Sequence, residues 1–215
     1  MTPPRATRHL STPPTPDNLR NFPTRTIPAG SALFRTHRAA LSPWWFGSSM
    51  VGRFDLPAPL GTCYVAETEM IGLYEMLAGV RFVAEPDIAS RTVSELTVDH
   101  DLIVADATAN DGIRYGLTAE ISTVVDYRLT QHWAKALQAA GFDGIRYWAR
   151  HELAHEHACL ALFESSGDNT VSVETPSDYR VSRTHRLTDR ADLLDSLERH
   201  AGITVVAPPR TLGPL

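Results

Sequence analysis

The residue pattern that most directly suggests chemistry is His151-Glu-Leu-Ala-His155. On a helix, His-Glu-x-x-His places two imidazoles on one face for a zinc ion and supplies the glutamate as general base. The surrounding segment, from Gly141 to Phe163, is instead typical of a strand, a loop and a second strand, and the link is too short for such a helix. We therefore interpret the motif as a solvent-exposed loop and predict no metal site.

A second pattern is the pair of carboxylates Glu67 and Glu69, separated by one threonine. Some ADP-ribosyltransferases use an acid-x-acid pair of this kind. Here the pair follows a predicted strand and begins a predicted helix, where acidic residues complement the positive end of the helix dipole. The structural interpretation is the simpler one, and we adopt it.

The third pattern is dispersed along the chain. Arg35 lies in Leu-Phe-Arg-Thr-His, Arg53 in Gly-Arg-Phe-Asp, and Tyr64 in Gly-Thr-Cys-Tyr-Val-Ala-Glu, while Glu75 follows Tyr64 by eleven residues. Taken singly, such residues are ordinary surface arginines, a core tyrosine and a solvated glutamate. The information lies in the order and co-occurrence of the four.

In this order the chain resembles the RES domain family, whose pattern is an early arginine after a strand, a Gly-Arg loop, a strand with tyrosine and a helix with glutamate. The resemblance covers roughly residues 31–165 and continues in three further segments: Thr130-Gln131-His-Trp-Ala, Gly141-Phe-Asp-Gly-Ile-Arg-Tyr147 and Leu160-Ala-Leu-Phe163. The chain departs from the family at Ala149, where the family usually has a serine whose hydroxyl positions the ligand.

The resemblance implies an α+β fold of the ADP-ribosyltransferase type, with a split β-sheet core and flanking helices. It also implies an enzyme that degrades NAD by cleaving the bond between nicotinamide and ribose, as a glycohydrolase or a phosphorylase. Such a protein is commonly the toxin of a toxin-antitoxin pair, with a helix-turn-helix antitoxin as its partner. Two alternatives stay open: an ADP-ribosyltransferase with a protein acceptor, and a RES-fold binding domain weakened in catalysis by Ala149.

The same resemblance assigns roles that agree with the chemistry. The transition state for loss of nicotinamide is oxocarbenium-like, and a carboxylate near the ribose, here Glu75, stabilises it and can hold the 2′-hydroxyl. Arg35 and Arg53 suit the pyrophosphate, because the guanidinium fork bonds two oxygens. Tyr64 contacts nicotinamide or ribose, and the aromatic side chains that can supply further ring faces are Trp44, Trp45 and Phe54. NAD is then a consumed substrate, so we expect no cofactor and no metal.

The elements that must position these residues follow from the apolar periodicity. Strands are predicted at 31–37, 61–66, 91–98, 102–106, 144–150, 158–163 and 170–173, and helices at 68–78, 131–140 and 191–200. Thr68 is the predicted N-cap of the first helix, and Gly141 is predicted to end the second. Strands outnumber helices and do not alternate regularly with them, which favours an α+β domain over a doubly wound one.

The N-terminal segment has a different composition. Seven of the fifteen prolines fall within the first 28 residues, and proline disfavours both helix interiors and central strands. We therefore predict that residues 1–29 are an extended or disordered leader and that 30–166 form the RES domain. Residues 167–215 are predicted to be a C-terminal extension with a strand and a helix packed on the same domain.

Charge and composition narrow the classes of partner. The 215-residue chain has a net charge of −5, made up of +3 in residues 1–30 and −8 in the remainder. A body of that sign repels nucleic acid backbones. The sequence has no apolar run long enough to span a membrane and no secretory signal, so we expect a cytoplasmic protein. A homo-oligomer is compatible with this composition. We expect Cys63 and Cys159 to be buried.

Overall fold

The computed structural model describes residues 8–77, 79–170 and 178–207. Its main feature is an eight-stranded mixed sheet. In spatial order the strands are β1 (Thr24–Ile27), β7 (Leu102–Asp106), β8 (Gly144–Trp148), β9 (Ala158–Ser165), β4 (Leu60–Ala66), β2 (Leu33–Arg38), β6 (Arg91–Val98) and β11 (Tyr179–Arg186). Only β7 and β8 pair in parallel; the other neighbours are antiparallel.

Two small ribbons and several helices flank this sheet. The antiparallel ribbon joins β3 (Trp45–Phe46) to β10 (Gly167–Asp168), and the parallel one joins β5 (Phe82–Ala84) to β12 (Thr204–Val206). The helices are α1 (Pro16–Leu19), α2 (Glu69–Leu77), α3 (Glu85–Ala89), α4 (Glu120–Thr123), α5 (Tyr127–Ala139) and α6 (Ala191–Ala201), with 3-10 turns at Asn110–Tyr115 and Leu187–Asp189. The predicted α+β class with flanking helices is confirmed. No helix within the described ranges is long and apolar enough to cross a membrane.

The sheet is split near its middle. β2 pairs with β6 over all six of its residues, and β4 pairs with β9 over all seven of its own. Between β2 and β4 the register holds a single pair, Phe34 with Ala66. Beyond that pair the two strands separate, and the sheet opens into a cleft.

Helix α2 lies against the split. Thr68 caps it as predicted, because its Oγ1 accepts a hydrogen bond from the Ile71 amide at 3.2 Å. Gly72 faces β2, where an added Cβ would lie in ordinary van der Waals contact, 3.5 Å from the carbonyl oxygen of Phe34. The helix predicted over 68–78 is therefore confirmed in position, while its last predicted residue, Ala78, lies outside the described residues.

Helix α5 begins four residues before the predicted start. Asp126 caps it by accepting a hydrogen bond from the Arg128 amide at 3.1 Å, and Asp is among the preferred N-caps. Its end agrees with the prediction, since Gly141 adopts the left-handed conformation with φ 96°, which a glycine reaches without steric cost. The longer helix brings Tyr127 into the structure around the cleft.

The sheet has a buried cluster on each face. Along β9, Leu160 and Leu162 belong to one cluster, and Cys159, Ala161 and Phe163 belong to the other, as the alternation of side chains in a strand requires. A third cluster joins α2 to the C-terminal helix α6. Both faces are thus covered, and the core extends around the cleft.

The prediction of an extended leader is wrong for the described part of residues 1–29. Residues 24–27 form β1, which pairs with β7, and α1 precedes it. Leu10, Leu19, Phe22 and Ile27 are all buried. Three of these prolines lie where the fold tolerates them. Pro16 occupies the first turn of α1, where proline loses no helical hydrogen bond. Pro23 and Pro28 flank the edge strand β1 without interrupting it.

The C-terminal region joins the same sheet through β11, which pairs with β6. The family resemblance had placed the domain end near residue 166, yet this strand begins at Tyr179. The strand predicted near 170–173 falls almost entirely outside the described residues. The helix predicted over 191–200 is confirmed as α6, and Gly202 ends it in the left-handed conformation with φ 64°.

The docked N-terminal segment gives a direct test of the core. Phe22 is 2% exposed and lies 6.1 Å from Trp133, centre to centre. We expect Phe22→Ala to lower the free energy of unfolding by about 3 to 5 kcal/mol, because it leaves a cavity in the core. Urea unfolding followed by circular dichroism measures this loss.

The matched control is Phe82→Ala, since Phe82 is 59% exposed. That change should cost less than about 1 kcal/mol. Equal losses for the two variants would show that the N-terminal segment is not part of the core.

Candidate active site

A cavity of about 860 Å³ lies where β2 and β4 separate. Its volume is within the range of small-molecule sites. Residues of β2, β4 and α2, the loop at 51–53, and the segments at 127 and 150–151 form its walls. All four candidate residues from the sequence line it: Arg35, Arg53, Tyr64 and Glu75.

Glu75 is the one acidic residue among the described residues that line the cavity. The phenol of Tyr147 donates a hydrogen bond to its Oε1 at 3.0 Å. Burial raises the pKa of Glu75 above its usual value, while this hydrogen bond and the charge of Arg53 act in the opposite direction. The second carboxylate oxygen, Oε2, makes no hydrogen bond within the described part of the chain and is available to a ligand.

Tyr64 holds the loop that carries Arg53. Its hydroxyl accepts from the Phe54 amide at 2.8 Å and donates to Asp55 Oδ1 at 2.9 Å. Asp55 Oδ2 in turn accepts from the Gly52 amide at 2.9 Å. Burial is the main cause that raises the pKa of Tyr64 well above its usual value, and the neighbouring Asp55 adds to it. The Tyr64 hydroxyl therefore keeps its proton and holds the loop through these two hydrogen bonds, while the ring of Tyr64 lies on the cavity wall.

Helix α5 fixes the same loop from the other side. Gln131 donates from Nε2 to the carbonyl oxygens of Met50 and Gly52, at 3.0 and 2.9 Å. Thr130 donates from Oγ1 to the Arg53 carbonyl oxygen at 2.5 Å. Met50 adopts φ 61°, which is uncommon for a residue with a side chain. The Thr130-Gln131 motif thus serves the position of Arg53.

Arg53 is 6% exposed but keeps unused donors. Its Nη1 donates to the Val124 carbonyl oxygen at 2.6 Å, and its guanidinium carbon lies 4.8 Å from the ring centre of Tyr127. Nε and Nη2 make no hydrogen bond to any described residue. A buried guanidinium held in this way presents a fixed pair of donors to the cavity.

Arg35 has a more structural setting. Its Nη1 lies 2.6 Å from the Pro43 carbonyl oxygen, 3.0 Å from that of Trp45 and 3.1 Å from the Cys63 sulfur. It lines the cavity but also fixes the loop before β3. Burial raises the pKa of Cys63, in spite of the nearby charge of Arg35, so the thiol is a buried apolar group, as expected.

The charge of the cavity wall favours an anion. Three arginines, Arg35, Arg53 and Arg150, line it against the single carboxyl of Glu75. His151 also lines the cavity. Its pKa is lowered by burial and by the charges of Arg150 and Arg53. The walls thus match a ligand that combines negative charge with a group that a carboxylate can hold.

Sequence reasoning missed Thr36. The residue is 4% exposed and lines the cavity, and its Oγ1 is buried with no hydrogen-bond partner among the described residues. An unpaired buried hydroxyl costs about 1 to 3 kcal/mol. A threonine in a strand gives no sequence signal of this kind, because the partners of a buried hydroxyl depend on residues that are distant in the chain.

The aromatic residues chosen from the sequence lie elsewhere. Trp44 is fully buried on the opposite face of the sheet, Trp45 is not a lining residue, and Phe54 packs against Tyr147 at 4.8 Å between ring centres. The expectation that these three line the cavity is wrong. Phe34 and Tyr127 supply the ring faces there instead.

Ala149, the point of departure from the family pattern, is 2% exposed and belongs to a core cluster. It is not a lining residue. Its neighbours Arg150 and His151 do line the cavity, so this segment of the chain contributes side chains to the wall from the two positions that follow the alanine.

The two other motifs have structural settings. His151 and His155 lie in a loop, as predicted, and His155 stacks on Trp148 with ring centres 5.1 Å apart. Glu67 pairs with Arg146 at 2.9 Å, and Glu69 forms a bidentate pair with Arg190 at 2.6 and 2.7 Å. No cluster of three metal-ligating side chains occurs among the residues that the structure describes.

Comparison with known families identifies the family of the chain. The family model of the RES domain matches residues 32–188. The chain belongs to the RES domain family. The match extends beyond the C-terminal limit expected from the sequence, and it includes β11, which completes the main sheet.

The RES fold is also seen in a solved structure. A chain of the crystal structure of the M. tuberculosis MbcT–MbcA toxin-antitoxin complex superimposes on this RES domain with a TM-score of 0.60 and 16% sequence identity, over 83% of this chain and 94% of that one. At that identity the likeness shows a shared fold. Among curated protein sequences, none matches the chain.

Gly52 offers a test of the contacts by which Tyr64 and Asp55 hold the loop in this RES domain. A Cβ at that position would lie 2.5 Å from the Tyr64 hydroxyl and closer still to Asp55 Oδ1. We expect Gly52→Ala to displace the loop and to lower the free energy of unfolding by about 1 to 3 kcal/mol, measured in urea. The control is Gly47→Ala, where the nearest atom would be 3.9 Å from the new Cβ. Equal stability of the two variants would contradict the close packing of Gly52.

Proposed function

We propose that this chain cleaves the bond between nicotinamide and ribose in NAD, with Glu75 as its catalytic residue. It acts as the toxin of a toxin-antitoxin pair, and a helix-turn-helix protein is its antitoxin. The observation that supports this most strongly is the cavity in the split sheet, where one carboxyl with a free oxygen faces three arginines.

The reaction asks little of the protein beyond placement and charge. Nicotinamide leaves as a neutral molecule from a positively charged pyridinium, and positive charge develops on the ribose. The Glu75 carboxylate stabilises this charge, and Oε2 is free to accept a hydrogen bond from the 2′-hydroxyl. The Tyr147 phenol, donating to Oε1 at 3.0 Å, fixes the orientation of the carboxyl and favours its ionised form.

The arginines bind the other end of the ligand. The free Nε and Nη2 of Arg53 face a cavity whose excess charge is positive, which suits a pyrophosphate. Stacking on Tyr127 and the bond to Val124 hold this guanidinium in one orientation. The roles of Arg53 and Glu75 are therefore complementary: one binds the anionic part of NAD, and the other acts at the ribose.

The acceptor of the ADP-ribosyl group distinguishes the enzyme classes. Water gives a glycohydrolase, phosphate a phosphorylase, and a protein side chain an ADP-ribosyltransferase. Purified protein with labelled NAD, incubated with and without phosphate, resolves them by product: ADP-ribose, its 1″-phosphate, or labelled protein. Release of nicotinamide in none of these reactions would reject the catalytic proposal and favour a RES-fold binding domain.

Glu75→Gln tests the catalytic role. It keeps the volume of the side chain but removes its charge, so we expect turnover of NAD to fall at least about a hundredfold. In cells, expression of the wild-type chain should deplete NAD, and expression of the variant should not.

Glu75→Gln should lose turnover without losing stability. Burial raises the pKa of Glu75 in the folded state. The contribution of this carboxyl to stability is therefore complete at a pH below its pKa in the unfolded chain, and it is lost as the pH rises through its pKa in the folded protein. At neutral pH Glu75→Gln should be at least as stable as the wild type. Its urea unfolding should also lose part of the decline in stability that the wild type shows as the pH rises.

Glu69→Gln is the matched control on the same helix. Glu69 pairs with Arg190 and does not line the cavity. This variant should lose stability and keep its turnover. Normal turnover by Glu75→Gln, or a loss by both variants in proportion to stability, would remove Glu75 from the mechanism.

Thr36 gives an independent test of the cavity. Thr36→Val replaces an unpartnered hydroxyl with a methyl group, so the free protein should gain stability while the KM for NAD rises by about fivefold to tenfold. Thr36→Ser should restore the KM, and kcat should change little in either variant. Initial-rate kinetics measure both constants, and an unchanged KM in Thr36→Val would show that the hydroxyl does not contact NAD.

A further inference from the structure

A second cavity, of about 800 Å³, lies beside the first. The two share a wall made of Gly79 and His151, which line both. The approach is close, since a Cβ on Gly79 would lie 3.7 Å from His151 Nε2. The rest of the wall comes from α2, the loop before β5, the loop after β8 and the C-terminal end of α6 with the two residues that follow it. Nothing in the proposed NAD reaction uses this second cavity.

Its main polar feature is Glu152. The side chain is 8% exposed, and the residue lines the second cavity but not the first. Oε1 accepts a hydrogen bond from the Ala154 amide at 3.1 Å. Oε2 is buried and has no hydrogen-bond partner in the part of the chain that the structure describes. A buried carboxylate oxygen without a partner is costly, so a donor supplied by a ligand would remove a large penalty.

The electrostatic setting favours a cationic donor. The carbonyl end of α6 lies at this cavity through Ala201 and Gly202, and a helix C-terminus favours positive charge. Arg81 and His200 line it as well, but the guanidinium of Arg81 lies over the exposed ring of Phe82, which is not a lining residue. The chain as a whole has a net charge of −5.

The rim is apolar and exposed. Leu153 is 88% exposed and Val80 is 50% exposed, and both line the cavity. Phe82, 59% exposed, extends the apolar surface next to it. Exposed apolar side chains around a buried carboxyl suit the long apolar stem of an arginine or a lysine, whose charged head reaches the acid while the stem covers the rim.

We propose that this second cavity binds a basic side chain, arginine or lysine, of a partner protein, with Glu152 as the carboxylate that receives the charged group. The apolar rim favours a protein over a free amine, because residues beside the basic side chain cover Leu153 and Val80. The occupant then lies against His151, on the wall of the NAD cavity.

The test uses a short capped peptide with one arginine between two leucines, and the same peptide with citrulline in place of arginine. Citrulline has the same shape and no charge. Isothermal titration of the full chain should show binding of the arginine peptide, and binding at least about tenfold weaker for the citrulline peptide. Agmatine, which has the guanidinium but no leucines, should also bind more weakly than the arginine peptide.

Variants of the chain locate the site. Glu152→Gln keeps the shape and removes the charge, so it should weaken the arginine peptide about tenfold or more. Glu156→Gln, an exposed acid in the same loop, should leave binding unchanged. Leu153→Ser should weaken the peptide but not agmatine. Unfolding curves confirm that each variant is folded.

Two results would overturn the proposal. If the arginine peptide does not bind, or binds equally well to the wild type and to Glu152→Gln, Glu152 is not the receiving group. Agmatine that binds as tightly as the peptide, with no effect of Leu153→Ser, rejects the protein partner in favour of a free amine. Neither result depends on NAD turnover, so they are distinguishable from failure of the proposed function.

Discussion

The single register pair between Phe34 and Ala66 is the constraint on which the rest of the structure depends. A continuous sheet would satisfy the backbone groups of β2 and β4 against each other and would leave no space between them. Here β6 and β9 hold the two strands from their outer sides, so the strands can separate without loss of the sheet. The cavity lies at that separation, and residues of both strands line it, among them Thr36 and Tyr64.

The second requirement is that the loop carrying Arg53 stays in one place. Phe54 and Leu56 anchor this loop in the core, and hydrogen bonds fix the residues around them. Asp55 and Tyr64 hold the loop from the strand side, and Thr130 and Gln131 hold it from α5. These contacts use side chains from three separate parts of the chain to fix one guanidinium. Asp55, Thr130 and Gln131 hold the loop without lining the cavity themselves.

Burial gives the two acidic side chains of the adjoining cavities different properties. Glu75 has a hydroxyl donor on one oxygen and positive charge nearby, so its ionised form is supported although burial opposes it. Glu152 has a backbone donor on one oxygen and no partner on the other among the described residues. The two carboxyl groups therefore differ in how their oxygens are satisfied. His151 lies on the wall that the two cavities share.

The sequence by itself determined the strands and helices whose signals are local. Alternating apolar residues predict β6 and β7, the N-cap at Thr68 indicates the start of α2, and Gly141 indicates the end of α5. The order of Arg35, Arg53, Tyr64 and Glu75 gave the family and the composition of the cavity wall. Only the tertiary structure decided the rest, because those features depend on contacts between residues that are distant in the chain. The N-terminal prolines indicated a leader, but pairing of β1 with β7 and burial of Phe22 outweigh the local preference. Tyr147 meets Glu75 across 72 positions in the chain, and the hydroxyl of Thr36 is buried with no partner among the described residues, so neither feature can be read from the local sequence.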